Sequence, residues 1–243
     1  MLTISSRHRQ AFADASRQAL ARRLAERFSE FFPVQTTFSG IATLVAASAA
    51  AIARAEAFGC TTERDAARYL LLSWQLGHEF GTDPRHPWAA QWLMTSADTT
   101  AAHRLDQLLT LANAQLDLVH GPENGALVKS LLRVRRLQQQ DFDAAGTDPQ
   151  RCAAWLGELM PAWQQQADVL MDIAAAAPVH ARQLGITDPA SVAIVALHAA
   201  LLGHGFATDP LYPWAGAALA GSAPDRAEKL FAASLRYLDA ILE

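Results

Sequence analysis

The residues best equipped for chemistry in this chain are two histidines, His78 and His204, each followed five positions later by an aspartate, Asp83 and Asp209. A carboxylate beside an imidazole can orient it as a general base. Both pairs sit in one shared string, L-G-H-x-F-x-T-D-P-x-x-P-W-A, which closes on Pro87 and Trp88 in the first occurrence and on Pro213 and Trp214 in the second. No nucleophile accompanies the pair within the string, and a metal site would need further ligands. The same residues read equally as architecture. A histidine beside Trp74 and Leu71 on an apolar face is a core residue, and the carboxylate of its own string, Asp83 or Asp209, would brace helix to turn. Gly77 and Gly203 permit close approach, the Asp-Pro step supports a turn or a helix start, and a short helix is placed at Pro87 or Pro213 with its Trp inward. Thr-Asp-Pro recurs at residues 147–149 and 187–189 as a plain helix start. The histidines at 8, 86, 103, 120, 180 and 198 are not matched between the two strings, and there is no P-loop, dinucleotide motif, zincin motif or GxSxG. The expectation is a protein without catalytic residues, metal or cofactor, with a hydrolase using the His and Asp pairs as the lesser alternative.

The string belongs to a longer repeat. Residues 59–89 and 185–215 align without a gap at an offset of 126, with 14 of 31 positions identical. Weaker correspondences pair Leu44 with Leu170, Ala55 with Ala181, Leu93 with Leu219 and Ser96-Ala97 with Ser222-Ala223; Phe32-Pro33 matches Met160-Pro161 with a small gap. The expected organisation is a tandem duplication of a roughly 120-residue unit, 1–120 and 121–243, joined near His120-Gly121-Pro122 and packed as a pseudo-two-fold helical bundle. Differences between the copies are informative as well. Glu79, Arg85 and His86 of the first become Gly205, Leu211 and Tyr212 of the second, so a charged loop becomes an apolar one. Leu211 and Tyr212 either pack against the other unit or, with Arg85 and His86, contribute to a partner-binding patch.

The elements that must carry these residues are helical. The 51 alanines, many leucines and only 8% aromatic residues favour helix over strand, and no stretch alternates with period two. Helices are expected over about 5–31, 38–57, 62–79, from 88, and 99–118, then over about 123–143, 149–183 with a break at Pro161, 188–204, 214–220 and 225–242. Thr62 and Asp65 suggest a capping box, and Ala67, Leu71, Trp74 and His78 would share the inward face of the helix that follows. In the helix over 99–118, Leu105, Leu108, Leu109, Ala112 and Leu116 would point inward. The net charge of −4 argues against binding nucleic acid by bulk electrostatics, and Arg7 to Arg27 and Arg133 to Arg136 read as solvated helix faces. Cys60 and Cys152 have neither metal spacing nor a disulfide framework and read as small buried hydrophobes. The polar amino terminus lacks a secretory signal's apolar core, and the run Ile41 to Ala53 is too short and Ala-rich to span a bilayer, so a cytoplasmic protein is expected.

The segment RAEAFGCTTERDAARYLLLSWQLGHEFGTDPRHPWA resembles small all-helical proteins encoded beside the spike and effector genes of bacterial type VI secretion systems. In that pattern an early Gln-and-Phe helix, here Gln10 and Phe12, leads to an Arg-Ala…Tyr-Gly-Ile segment, then an acidic-start helix, then Phe-x-x-Asp-Pro-x-x-Pro-Trp-Ala. Phe80, Asp83, Pro84, Pro87, Trp88 and Ala89 match, as do Gly185, Ile186, Phe206, Asp209, Pro210, Pro213, Trp214 and Ala215, while Phe58-Gly59-Cys60 replaces Tyr-Gly-Ile. The resemblance carries no catalytic residue across. It implies a protein that binds a cognate type VI effector toxin or a spike-associated protein, as an immunity protein or as an adaptor for secretion. No nucleic-acid or membrane partner is expected, and a homo-oligomer stays possible.

Overall fold

The computed structural model describes residues 5–94, 99–221 and 225–243. The Ser96-Ala97 and Ser222-Ala223 correspondence lies outside the described residues. Among those residues the chain is all-helical, with thirteen α-helices and no strand. The first half contributes α1 (Ser6–Phe31), α2 (Pro33–Ser39), α3 (Ile41–Ala57), α4 (Glu63–Leu76), α5 (Pro87–Met94) and α6 (Ala101–His120). The second contributes α7 (Gly125–Val134), α8 (Gln139–Ala145), α9 (Pro149–Leu159), α10 (Ala167–Gln183), α11 (Pro189–Leu202), α12 (Pro213–Leu219) and α13 (Arg226–Leu242). Two 3-10 turns, Pro122–Asn124 and Pro161–Gln166, fall at the join and at the expected break.

Local chemistry explains most helix starts. Ser5, Thr62, Thr100, Asp148 and Asp188 each accept a hydrogen bond from the backbone N–H three residues on. At Thr62 the box differs from expectation, because the Asp65 carboxylate accepts from the Thr62 hydroxyl at 2.8 Å. Two expected helices are divided. Residues 38–57 belong to α2 and α3, which meet at Gly40 with a positive φ of 83°. Residues 123–143 contain a break after Val134, where Gln138 and Asp141 form a true capping box and start α8 afresh.

The apolar core separates between the halves. One set of buried side chains, including Tyr69, Leu72, Phe80, Leu105 and Leu108, comes from the first half, and another, including Phe142, Leu156, Ile194, Leu197, Phe206 and Leu230, from the second. In α4 the deeply buried face is Ala66, Tyr69, Leu70, Ser73 and Leu76; Ala67, Leu71 and Trp74 flank it half-buried, with Trp74 stacked on Phe32 at 4.4 Å. In α6, Leu105, Leu108 and Ala112 are buried as expected, and Leu109 and Leu116 are half-buried. Helix α11 is apolar on every side and forms the centre of the second half, against α10, α8, α9 and α13. Helix α13 also reaches α2, where Phe38 meets Tyr237 edge-on at 5.2 Å. Cys60 and Cys152 are buried and free, and burial pushes the Cys152 thiol up to about 11. Among the described residues no single helix is long and apolar enough to cross a membrane; α2 and α3 reach that length only together, across a bend of 103°.

Candidate functional site

Helices α4 and α11 end on Gly77 and Gly203, whose φ values of 95° and 104° turn the chain sharply away. The two ends meet. A Cβ added to Gly77 would lie 2.8 Å from the Leu202 carbonyl oxygen and 3.7 Å from the Gly203 Cα, so only glycine allows this approach. Immediately after each glycine comes the histidine, and then a buried Phe, Phe80 or Phe206, anchors the turn in its own half.

The His and Asp pairs are exchanged between the halves. Asp209 Oδ2 accepts from the His78 backbone N–H at 3.1 Å, and Asp83 Oδ2 accepts from the His204 backbone N–H at 3.0 Å. Each aspartate uses its other oxygen locally: Asp83 Oδ1 accepts from Arg85 N–H at 2.9 Å, and Asp209 Oδ1 from Leu211 N–H at 2.8 Å. The imidazoles follow the same exchange, with His78 Nδ1 3.5 Å from Asp209 Oδ2 and His204 Nδ1 3.3 Å from Asp83 Oδ2. The brace expected within each string therefore runs between strings. The reason is geometric, since the meeting of two helix ends brings each carboxylate within hydrogen-bond reach of the opposite histidine's backbone N–H as well as of its own turn.

Glu79 joins this junction. Its carboxylate lies 3.6 Å from His78 Nε2, 3.3 Å from His204 Nε2 and 3.6 Å from Arg54, whose guanidinium also donates to the His78 carbonyl. The Thr82 hydroxyl is 3.3 Å from His204 Nε2. Among the described residues no three His, Cys, Asp or Glu side chains are placed to hold a metal ion.

Arg85 and His86, expected on a surface loop, are buried, and so is Leu211; Tyr212 is half-buried. Arg85 is drawn inward by unpaired carbonyls. It donates to Leu76 O at 2.6 Å, the end of α4, and to Ala200 O and Leu201 O at 3.2 and 3.4 Å, the end of α11, while holding both oxygens of Asp83. A cation suits two converging helix C-termini. Burial alone would raise the Asp83 carboxyl; the Arg85 guanidinium, the His204 imidazole and the hydrogen bonds from Arg85 outweigh it and hold Asp83 well below the usual carboxylate range. His86 is pushed down to about 4 by burial and then by Arg85. These residues form an internal junction and present no exposed patch. Pro87 and Pro213 open α5 and α12 as expected and are exposed. Trp88 and Trp214 are half-buried, but Trp88 Nε1 donates to Gln115 Oε1 at 2.8 Å whereas Trp214 Nε1 has no partner.

Apolar side chains are exposed elsewhere. Phe31 is 70% exposed at the end of α1, and Val34 and Ile41 are exposed on the next two helices. Phe31 fits the apolar spacing of α1, so beyond the stop at Pro33 nothing in the residue pattern marks these positions as exposed. No family model, curated protein or solved structure matches this chain.

Proposed function

We propose that this chain is a tandem duplication of one helical unit, packed about a pseudo-two-fold axis, that works by binding another protein. The reciprocal Asp-to-His contacts support the pseudo-symmetry, since equivalent atoms of the two strings make equivalent bonds. The partner is a toxic effector of a bacterial type VI secretion cluster, and the chain neutralises it in the cytoplasm as an immunity protein. That part rests on the sequence resemblance. The observation that carries protein binding is the exposure of three large apolar side chains, Phe31, Val34 and Ile41, within eleven residues of chain on the consecutive helices α1, α2 and α3. The motif's aspartates, meanwhile, are engaged with the backbone N–H groups of the opposite histidines, which ties the two halves together.

Co-expression with the effector encoded beside it is the test. A stable complex is expected from the native chain, and Phe31→Asp with Ile41→Asp should weaken it at least about tenfold, as loss of central apolar contacts does, without lowering the melting temperature. An unchanged complex removes these positions as the binding surface. Deleting the gene should sensitise cells to sister-cell intoxication; normal survival with lost effector secretion would instead identify an adaptor.

A further inference from the structure

Tyr212, Trp214 and Tyr237 pack edge and face in one wall of a cavity of about 230 Å³ between α2, α4, α7, α11 and α13. Trp74 contributes a fourth aromatic side chain to its lining. That volume equals about eight waters of liquid, or one small ring system. None of the described side chains lining it is Asp, Glu, Lys or Arg. Burial lowers both of its histidines, His120 and His198, the latter to about 4, so their imidazoles are neutral at pH 7. Such a cavity rejects charge, which it could not compensate.

Its walls nevertheless contain unpaired polar atoms. His198 is 1% exposed, and its Nδ1 donates to the Ile194 carbonyl at 2.7 Å, which leaves Nε2 as an acceptor. His198 Nε2, Trp214 Nε1 and Gln75 Oε1 are buried without a hydrogen-bond partner, and all three side chains line the cavity. Buried polar groups are seldom left so. The His198 and Trp214 rings are adjacent, 6.3 Å between centroids.

The first half shows how the chain closes the equivalent position. Trp88 donates to Gln115, and the cavity beside Gln115 is only about 60 Å³. At the same offset of 126, Gln115 is replaced by Ile241, which lines the larger cavity and can accept nothing from Trp214. One exchange removes the acceptor from the tryptophan.

We infer that this cavity binds a small, uncharged hydroxyaromatic molecule. Its ring lies among Trp74, Tyr212, Trp214 and Tyr237, and its hydroxyl accepts from Trp214 Nε1–H and donates to His198 Nε2. A hydroxyl is the simplest group that meets both needs.

The test is ¹⁹F NMR titration of the full chain with 4-fluorophenol, fluorobenzene and 4-fluorobenzoate. Saturable binding of 4-fluorophenol is expected, with fluorobenzene weaker by about tenfold, the worth of one good hydrogen bond, and 4-fluorobenzoate not bound. Ile241→Gln restores the first half's partner for the tryptophan and should weaken 4-fluorophenol by about tenfold or more. Leu131→Phe, which fills the cavity from a half-buried wall position, should abolish binding and serves if the first variant does not fold. Absence of saturable 4-fluorophenol binding to the native chain overturns the inference. So does equal affinity for fluorobenzene, or affinity unchanged in the folded variants.

Discussion

The two copies of the repeated turn share a scaffold and differ in what fills it. In both, an aspartate divides its oxygens between the N–H two residues on and the opposite histidine's backbone N–H. In the first copy Arg85 adds a buried positive charge that pairs with Asp83 and caps two helix ends, and Gln115 satisfies Trp88. In the second, Leu211 replaces the arginine, Tyr212 the histidine and Ile241 the glutamine, and the space beside the tryptophan is larger. The identical positions maintain the junction, while the substituted ones make one copy charged and closed and the other apolar and open.

The sharpest way to break this contrast is to remove each carboxylate in turn. Asp83→Ala leaves Arg85 buried without its counter-charge and should cost about 3–5 kcal/mol, whereas Asp209→Ala strands two backbone N–H groups and should cost about 1–3 kcal/mol. Urea unfolding of both variants measures the gap, and equal losses would erase the asymmetry. The glycines test the shared part. Gly77→Ala and Gly203→Ala should each cost about 2 kcal/mol for the positive φ and the crowding. Gly77→Ala should be the worse of the two, because its Cβ would lie 2.8 Å from the Leu202 backbone carbonyl oxygen, whereas the Cβ at Gly203 would meet only the side chains of Arg85 and Asp83, which can shift.

The smallest effect is in acid. His86 and His198, one in each half, are both held near 4, against about 6.5 when exposed in the unfolded chain. Between those values the unfolded chain binds more protons, so stability falls as pH drops from about 6.5 towards 4. His86→Gln and His198→Gln should each flatten this slope by about 1–2 kcal/mol at pH 5 relative to pH 7. Asp83 acts lower, since its folded-state stabilisation is present above about pH 4 and is lost as pH falls further. Denaturant midpoints from pH 7 to 4.5 compare the two histidines, and a slope untouched by either variant would show that neither is held neutral.

Much of the fold was legible because local signals announced it. Asp148, Asp188 and Thr62 capped helices where capping chemistry pointed, and Pro161 broke the chain where expected. The missed division at 135–138 was also local: Gln138 and Asp141 form a box with a glutamine, a less familiar start than Ser or Thr. The site was legible in its residues but not in its pairing. Spacing shows that His78 is five residues from Asp83, yet the carboxylate that meets it is Asp209, 131 residues away, because two helix ends converge. Arg85 misled for a related reason. An arginine in a polar turn reads as solvated until two sets of helix-end carbonyls are known to converge on it.

The exchanged aspartates also bear on the order of folding during synthesis. Each turn is completed by a group from the other half, over 121 and 131 residues of chain. Domains fold as units, amino-terminal first, while the ribosome adds residues at about 5–20 per second. The first turn therefore waits on the order of ten seconds for Asp209 to emerge. Until then the His78 N–H must rely on water, and the buried seat of Arg85 lacks the α11 carbonyls that share it. The nascent first half thus has its docking face unfinished, which gives a chaperone or a proteolytic probe a defined interval in which to distinguish it from the complete chain.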